Sequence, residues 1–162
     1  MDYYSQISKS YNELHREEQL NKLSIIKGSI KTARDSRILD VGCGTGISSG
    51  FDCFVVGVDP SIKLLNQNKR LKVNSRAENL PFRDRTFDFV ISVTSIHNFN
   101  DIGKAIGEMK RVGKKDFIFS ILKKSGKFND IKKIIGKNFR IRNVIEEEKD
   151  LIFFCEKHKV YI

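Results

Sequence analysis

The hydrophobic positions of this chain fall into short continuous runs, separated by stretches with helical spacing. Continuous apolar runs of four to seven residues are typical of strands that are buried on both faces of a parallel sheet. The predicted strands are residues 38–41, 54–58, 71–75, 87–93, 117–122, 139–145 and 151–155. The last two flank a charged connection and predict a hairpin, and 71–75 is expected at a sheet edge. This alternation of strands and helices indicates an α/β protein.

Apolar residues recur at three- and four-residue intervals in the remaining stretches, as expected of amphipathic helices. Residues 5–33 predict one or two such helices ahead of the first strand. Further helices are predicted from Ser61 to about Arg70, from Asp101 to Gly113 and from Phe128 onward, with Ser61 and Asp101 as caps.

A glycine-rich turn follows the first predicted strand, with glycines at 42, 44 and 46. Glycine lets the backbone turn tightly where side chains would block a ligand, and ligands of open α/β sheets bind just past the carboxyl ends of strands. The second strand ends at Asp59, an acid placed to accept hydrogen bonds from two ribose hydroxyls. The spacing G-x-G-x-G, with 17 residues from Gly42 to Asp59, fits the dinucleotide fingerprint poorly. We therefore predict a different nucleoside-containing cofactor.

The string L-D-V-G-C-G-T-G at 39–46, followed by V-G-V-D-P-S at 56–61, resembles motifs I and II of the class I S-adenosylmethionine-dependent methyltransferases, and of their type 11 subgroup in particular. R-A-E-N-L-P-F at 76–82 is similar to the family's adenine-side element, with Arg76 where the family usually has Asp. The resemblance implies a Rossmann-like three-layer sandwich with a seven-stranded, mostly parallel sheet and a C-terminal antiparallel hairpin. It also implies a single domain over 1–162, in which 1–35 form a leading helical cover and 36–162 the core.

S-adenosyl-L-methionine is the cofactor that this resemblance implies, and the matching positions supply candidate contacts. The glycine loop would surround the methionine moiety, and Asp59 would bind the ribose. The residues after the second and third strands would contact the adenine. The candidates are Asp40, Gly42, Gly44, Gly46, Asp59, Ile62, Ala77, Glu78, Ser92, Val93 and Thr94. Only seven residues separate Gly46 from Phe54, so we expect one turn or an irregular loop instead of the family's first crossover helix.

The loop after the fourth strand should face the transferable methyl group. His97 matches a histidine that the family has at this point, and it is our candidate catalytic base for an acceptor that arrives protonated. An equally simple interpretation is that His97 only orders its own loop. Candidate substrate contacts are Tyr11, Asn98, Lys123, Lys124 and Lys127.

The net charge of +10 is concentrated in one part of the chain, because residues 104–142 hold 13 Lys or Arg against three acids, and the rest balances to zero. Such an asymmetry is expected of a surface that meets a polyanion. We predict that the substrate is RNA, either tRNA or rRNA, or a component of the translation apparatus. A small-molecule methyltransferase and a non-catalytic module that binds S-adenosylmethionine remain alternatives, and solvated lysines on an ordinary surface remain another.

The three cysteines are widely spaced and lack the partners of a metal site, so we predict reduced thiols, no bound metal and a cytoplasmic protein. No apolar run approaches the roughly 20 residues of a membrane span, so no membrane partner is expected. The edge strand near residues 71–75 could instead be covered by a small activator protein, because exposed strand edges tend to be paired or blunted.

Overall fold

The computed structural model describes the backbone of residues 3–159 and the side chains of residues 13–159. Within these residues the strands form one mixed sheet in the order β3-β2-β1-β4-β5-β7-β6, and β7 runs antiparallel to both of its neighbours. The strands are β1 Arg37–Val41, β2 Phe54–Asp59, β3 Lys72–Asn74, β4 Phe87–Val93, β5 Gly113–Leu122, β6 Phe139–Glu146 and β7 Asp150–Lys157. The predicted fold class is therefore confirmed, with β3 at one edge of the sheet.

The helices are α1 Tyr3–Ser29, α2 Ile62–Leu65, α3 Ile102–Val112 and α4 Phe128–Asn138. The side chains of Ser61 and Asp101 accept hydrogen bonds from the first turns of α2 and α3, so both predicted caps are confirmed. The first crossover is a single 3-10 turn over Ile47–Ser49, as expected from its length.

The prediction that α2 reaches about Arg70 is wrong, because the helix ends after four residues. Its continuation is replaced by the side chain of Asn68, which accepts a hydrogen bond from the backbone N–H of Arg70 and donates to the carbonyl of Gly44. Asparagine side chains compete in this way with helical backbone hydrogen bonds. As a result the chain turns back toward the glycine loop.

Alternate residues of the strands face two different hydrophobic layers, as the period of a strand requires. Leu39 and Val90 belong to the layer beneath α3 and α4, whereas Ile38 and Ile91 belong to the layer beneath α1. Helices therefore cover both faces of the sheet in a three-layer arrangement. Among the described helices, none is long and apolar enough to cross a membrane.

Candidate cofactor site

A cavity of about 780 Å³ opens at the carboxyl ends of β1, β2 and β4, where α1 passes over them. A smaller cavity of about 180 Å³ adjoins it, and both are lined by Gly42 and Asn98. The larger cavity is lined by His15, Arg16, Gln19, Gly42, Cys43, Gly44, Thr45, Ile47, Ser48, Asp59, Leu64, Gln67, Val93, Thr94, Ser95 and Asn98. The combined volume lies within the range of ordinary ligand pockets.

The three glycines of the loop all have positive φ, but for different reasons. A Cβ at Gly42 would lie 2.3 Å from Ser95 Oγ, and one at Gly46 would lie 2.4 Å from Asn68 Oδ1. A Cβ at Gly44 would have Leu64 Cδ1 as its nearest neighbour, in ordinary contact at 3.7 Å. Gly42 and Gly44 both line the larger cavity, but only at Gly44 would a Cβ avoid a clash with a neighbouring side chain.

Asp59 ends β2 and lines the larger cavity although it is only 8% exposed. Its Oδ2 accepts a hydrogen bond from the N–H of Gly44 at 2.9 Å, and its Oδ1 accepts one from the N–H of Ser61 at 2.8 Å. Each carboxylate oxygen can accept a second hydrogen bond. A fixed acid with two remaining acceptor sites suits a pair of ribose hydroxyls.

Two of the three residues predicted at the adenine lie around the smaller cavity. Ala77 and Glu78 line it together with Arg76. The Glu78 carboxylate accepts a hydrogen bond from the N–H of Asp101 at 2.9 Å, so it also holds the start of α3. The side chain of Ile62 does not line either cavity and is 62% exposed.

Asp40 lies behind the cavity and does not line it, since its side chain is fully buried. Its Oδ2 accepts hydrogen bonds from the hydroxyls of Ser48 at 2.7 Å and Ser49 at 2.6 Å, and Oδ1 has no partner among the described residues. Burial raises the pKa of Asp40 to about 6, against the two serine hydroxyls, which lower it. Asp40 therefore holds the short crossover in place. Direct contact with a cofactor stays a prediction for Asp40 and for Gly46.

Ser92, Val93 and Thr94 were predicted near the sulfonium, and Val93 and Thr94 do line the larger cavity. Ser92 is fully buried, and its hydroxyl lies 2.9 Å from that of Ser95. Thr94 has φ of 50°, an uncommon conformation for a β-branched residue. Its conformation must therefore be held by its surroundings.

A buried network holds Thr94, and sequence analysis missed it. Lys22 of α1 is 1% exposed and donates to Thr94 Oγ1 at 2.9 Å. Asp150, at the start of β7, is fully buried, lies 3.2 Å from the Lys22 ammonium and accepts hydrogen bonds from the hydroxyls of Thr94 and Ser120. The sequence signal for this network was Lys22 itself. It lies four residues before the buried Ile26 and therefore on the same side of α1, which faces the sheet.

His97 lies in the 3-10 turn Ile96–Asn98 and does not line either cavity. Burial lowers the pKa of its imidazole, the nearby Lys127 lowers it further, and Asp150 opposes them. Its Nδ1 is buried without a hydrogen-bond partner among the described residues. The lowered pKa favours the neutral imidazole, which is the form that a base must have.

The predicted substrate residues are only partly brought together. Asn98 is exposed and lines both cavities, and Lys127 donates to the carbonyl of His97 at 3.1 Å. Lys123 forms an ion pair with Glu146 at 2.9 Å, and Lys124 is exposed. The side chain of Tyr11 lies outside the described residues.

Residues 39–121 match the family described as the methyltransferase domain. The chain belongs to the class I S-adenosylmethionine-dependent methyltransferases. In structure it is similar to a SAM-dependent methyltransferase from Thermotoga maritima, with a TM-score of 0.73 and 20% identity, covering 96% of this chain and 97% of that one. That likeness shows the fold.

Three relatives are similar in sequence to this methyltransferase. Protein MJ1252 of Methanocaldococcus jannaschii is 31% identical over 93% of this chain and 63% of its own length. The demethylmenaquinone methyltransferase of Renibacterium salmoninarum is 35% identical over 56% of this chain and 42% of its own. The tRNA (carboxymethyluridine(34)-5-O)-methyltransferase of Arabidopsis thaliana is 38% identical over 49% of this chain and 22% of its own. The chain thus spans about half the length, or less, of most of these relatives.

S-adenosylmethionine, the cofactor of this family, fits the residues that are present. Gly44 leaves room for a ligand at the backbone, Asp59 offers acceptors for a ribose, and the smaller cavity lies next to Asp59 along the sheet edge. The methyltransferase therefore has a place for each half of the cofactor despite its short first crossover.

Proposed function

We propose that this methyltransferase transfers the methyl group of S-adenosylmethionine to RNA, either tRNA or rRNA. The observation that carries the proposal is a set of lysines on α3, on α4 and in the loop between β5 and α4. We call this set the α3–α4 surface, and it consists of Lys104, Lys110, Lys124, Lys132, Lys133 and Lys137. Helices α3 and α4 contact each other, so their exposed faces adjoin.

Ion pairs with acidic side chains engage several other basic residues of the same segment. Arg111 pairs with Glu108 and Asp84, and Arg142 lies near Asp116 and Glu156. Within the described residues, none of the lysines of the α3–α4 surface forms an ion pair. Unpaired cations on adjoining helices are suited to contact the phosphates of a nucleic acid.

The α3–α4 surface reaches the cavity through the loop between β5 and α4. In that loop Lys127 donates to the carbonyl of His97, whose neighbour Asn98 lines both cavities. An RNA bound along the α3–α4 surface could therefore bring a nucleotide to the opening. The similarity to the Arabidopsis tRNA methyltransferase supports this substrate class over half of the chain.

The cofactor, when bound, supplies a methyl group attached to a positively charged sulfonium. After the transfer, the rest of the cofactor is a neutral thioether. The residues of this chain then need mainly to position the acceptor, because in-line displacement depends on alignment. An acceptor that arrives protonated also needs a base. His97 is our candidate for that role, since its lowered pKa favours the neutral imidazole.

The test is transfer of a radiolabelled methyl group from S-adenosylmethionine to bulk tRNA and to ribosomal RNA. Lys132→Gln/Lys133→Gln should weaken RNA binding by roughly tenfold or more, because phosphate contacts are lost. The slope of log binding constant against log salt concentration should become shallower by roughly one to two for the same reason. Lys31→Gln/Lys69→Gln removes the same charge from exposed positions outside the α3–α4 surface and should change neither value. Absence of RNA labelling together with salt-independent RNA binding would refute the RNA substrate.

A small-molecule acceptor is the second candidate, favoured by the similarity to the demethylmenaquinone methyltransferase. Such an acceptor would have to enter the cavity under α1. Label would then appear in the organic extract of a metabolite mixture, and the lysine variants would have no effect on turnover.

We also propose that the β3 edge can pair with a small activator protein. The strand has three residues, and Leu71 beside it is 59% exposed. Such a partner would be supported if co-expression with an interacting protein raised both the solubility and the turnover of this methyltransferase above those of the chain expressed alone. Cofactor binding without turnover on any acceptor, in their presence, would favour a non-catalytic module instead.

A further inference from the structure

The face of α1 that points toward the sheet changes character along its length. In the second half of the helix, Leu23 and Ile26 are buried and pack with Ile38 and Ile91. One and two turns earlier, the same face carries Gln19 and Arg16, which line the cavity. Residues three and four apart share one face of a helix. The polar half of this face is therefore directed at a ligand site and the apolar half at the core.

Two ion pairs hold the polar half of α1 in place over the cavity. The ammonium of Lys22 is buried against Asp150. Glu18 forms an ion pair with Lys149, the residue before Asp150. Asp150 begins β7 and Lys149 directly precedes that strand, next to the carboxyl end of β5. Arg16 lies only two residues before Glu18, so its backbone position is set by these contacts.

Charge is distributed unevenly among the described residues that line the cavity. The acidic side chain is Asp59, on the side that adjoins the smaller cavity, and the basic side chains are His15 and Arg16, both from α1. Arg16 is exposed and forms no ion pair with any described residue. A guanidinium that lines a cavity is well suited to a carboxylate, which it can bind through two parallel hydrogen bonds.

We propose that Arg16 binds the carboxylate at the methionine end of the cofactor. The proposal rests on the S-adenosylmethionine dependence of the family and is independent of the methyl acceptor. With the ribose at Asp59 and the adenine in the smaller cavity, the amino-acid end would lie in the part of the larger cavity that α1 covers. Arg16 and Gln19 are the side chains of α1 that would hold it there.

The experiment compares two ligands that differ only in the carboxylate. S-adenosylhomocysteine and its decarboxylated analogue, S-adenosyl-3-thiopropylamine, share the adenosine, the thioether and the amine. Their dissociation constants are measured by calorimetry on the wild-type chain, on Arg16→Gln and on Arg34→Gln. Arg34 is exposed in the loop before β1 and does not line the cavity, so it is the matched control for loss of one positive charge.

Arg16→Gln should weaken S-adenosylhomocysteine binding by roughly ten- to hundredfold, the effect of losing a hydrogen-bonded charge. It should change binding of the decarboxylated analogue less than twofold, and Arg34→Gln should change neither. Equal weakening of both ligands, or no change for either, would overturn the role of Arg16. Failure of the folded wild-type chain to bind S-adenosylhomocysteine would instead count against the cofactor site itself.

Discussion

Two buried carboxylates stand behind the cavity, and they are stabilised in different ways. Asp40 supports the crossover after the glycine loop through two serine hydroxyls, and no cation among the described residues forms an ion pair with it. Asp150 supports the loop after β4 through Thr94 and Ser120, and it is paired with the Lys22 ammonium. Both side chains are fully buried.

The comparison shows how a missing counter-ion changes the behaviour of the same group. A buried carboxylate without a cation favours its protonated form, because burial penalises the charge. Asp40 follows this rule, with its pKa raised to about 6. A buried carboxylate with an ammonium partner can keep its charge, but both members then depend on each other. The stability of the crossover held by Asp40 should therefore depend on pH. The stability of the loop held by Asp150 should instead depend on keeping both members of the ion pair.

The largest effect is expected from breaking the ion pair. Lys22→Met or Asp150→Asn should each lower the free energy of unfolding by about 3–5 kcal/mol, since one buried charge is left without its partner. Urea denaturation measures the change. Lys22→Met/Asp150→Leu removes both charges and should recover most of the loss. Losses below about 1 kcal/mol for either single variant would mean that the pair contributes no more than an exposed one.

The second prediction concerns the pH dependence of Asp40. Its folded pKa of about 6 lies above its ordinary value of 3.8, so the folded chain holds a proton that the unfolded chain loses. This stabilisation is complete below pH 3.8 and is lost as the pH rises through about 6. Relative to Asp40→Asn, the wild-type chain should lose roughly 3 kcal/mol between pH 4 and pH 7. A constant difference across that range would show that Asp40 does not change its charge there.

The strands and part of the site could be predicted because their signals are local. Gly44 could be predicted from the glycine-rich loop after β1, and Asp59 from its place at the end of β2. Each of these signals involves only a few neighbouring residues. Lys22 and Asp150 could not be paired in advance, because α1 and β7 come from opposite ends of the sequence and meet only in the folded sheet. The end of α2 was missed for a similar reason, since the side chain of Asn68 bonds to the distant carbonyl of Gly44.

The third prediction tests how the paired carboxylate holds its loop. Thr94→Val removes the hydroxyl that bonds to Lys22 and Asp150 and should cost about 2 kcal/mol, because two buried charged groups each lose a partner. Thr94→Ser keeps the hydroxyl and should be close to wild type in thermal unfolding. A large loss for Thr94→Ser would show that packing of the methyl group matters more than the network.

The smallest effect is expected at the serines that hold Asp40. Ser49→Ala removes one of the two hydroxyls that lower the pKa of Asp40, so that pKa should rise further above 6. The variant should therefore lose about 1 kcal/mol at pH 8, where the carboxylate is charged, and less at pH 5, where it is protonated. Thr86→Ala, which removes a hydroxyl bonded to the Arg83 carbonyl on the surface, gives a control without this pH dependence. A Ser49→Ala loss that is equal at both pH values would mean that Asp40 does not titrate there, and the contrast with Asp150 would then have to rest on geometry alone.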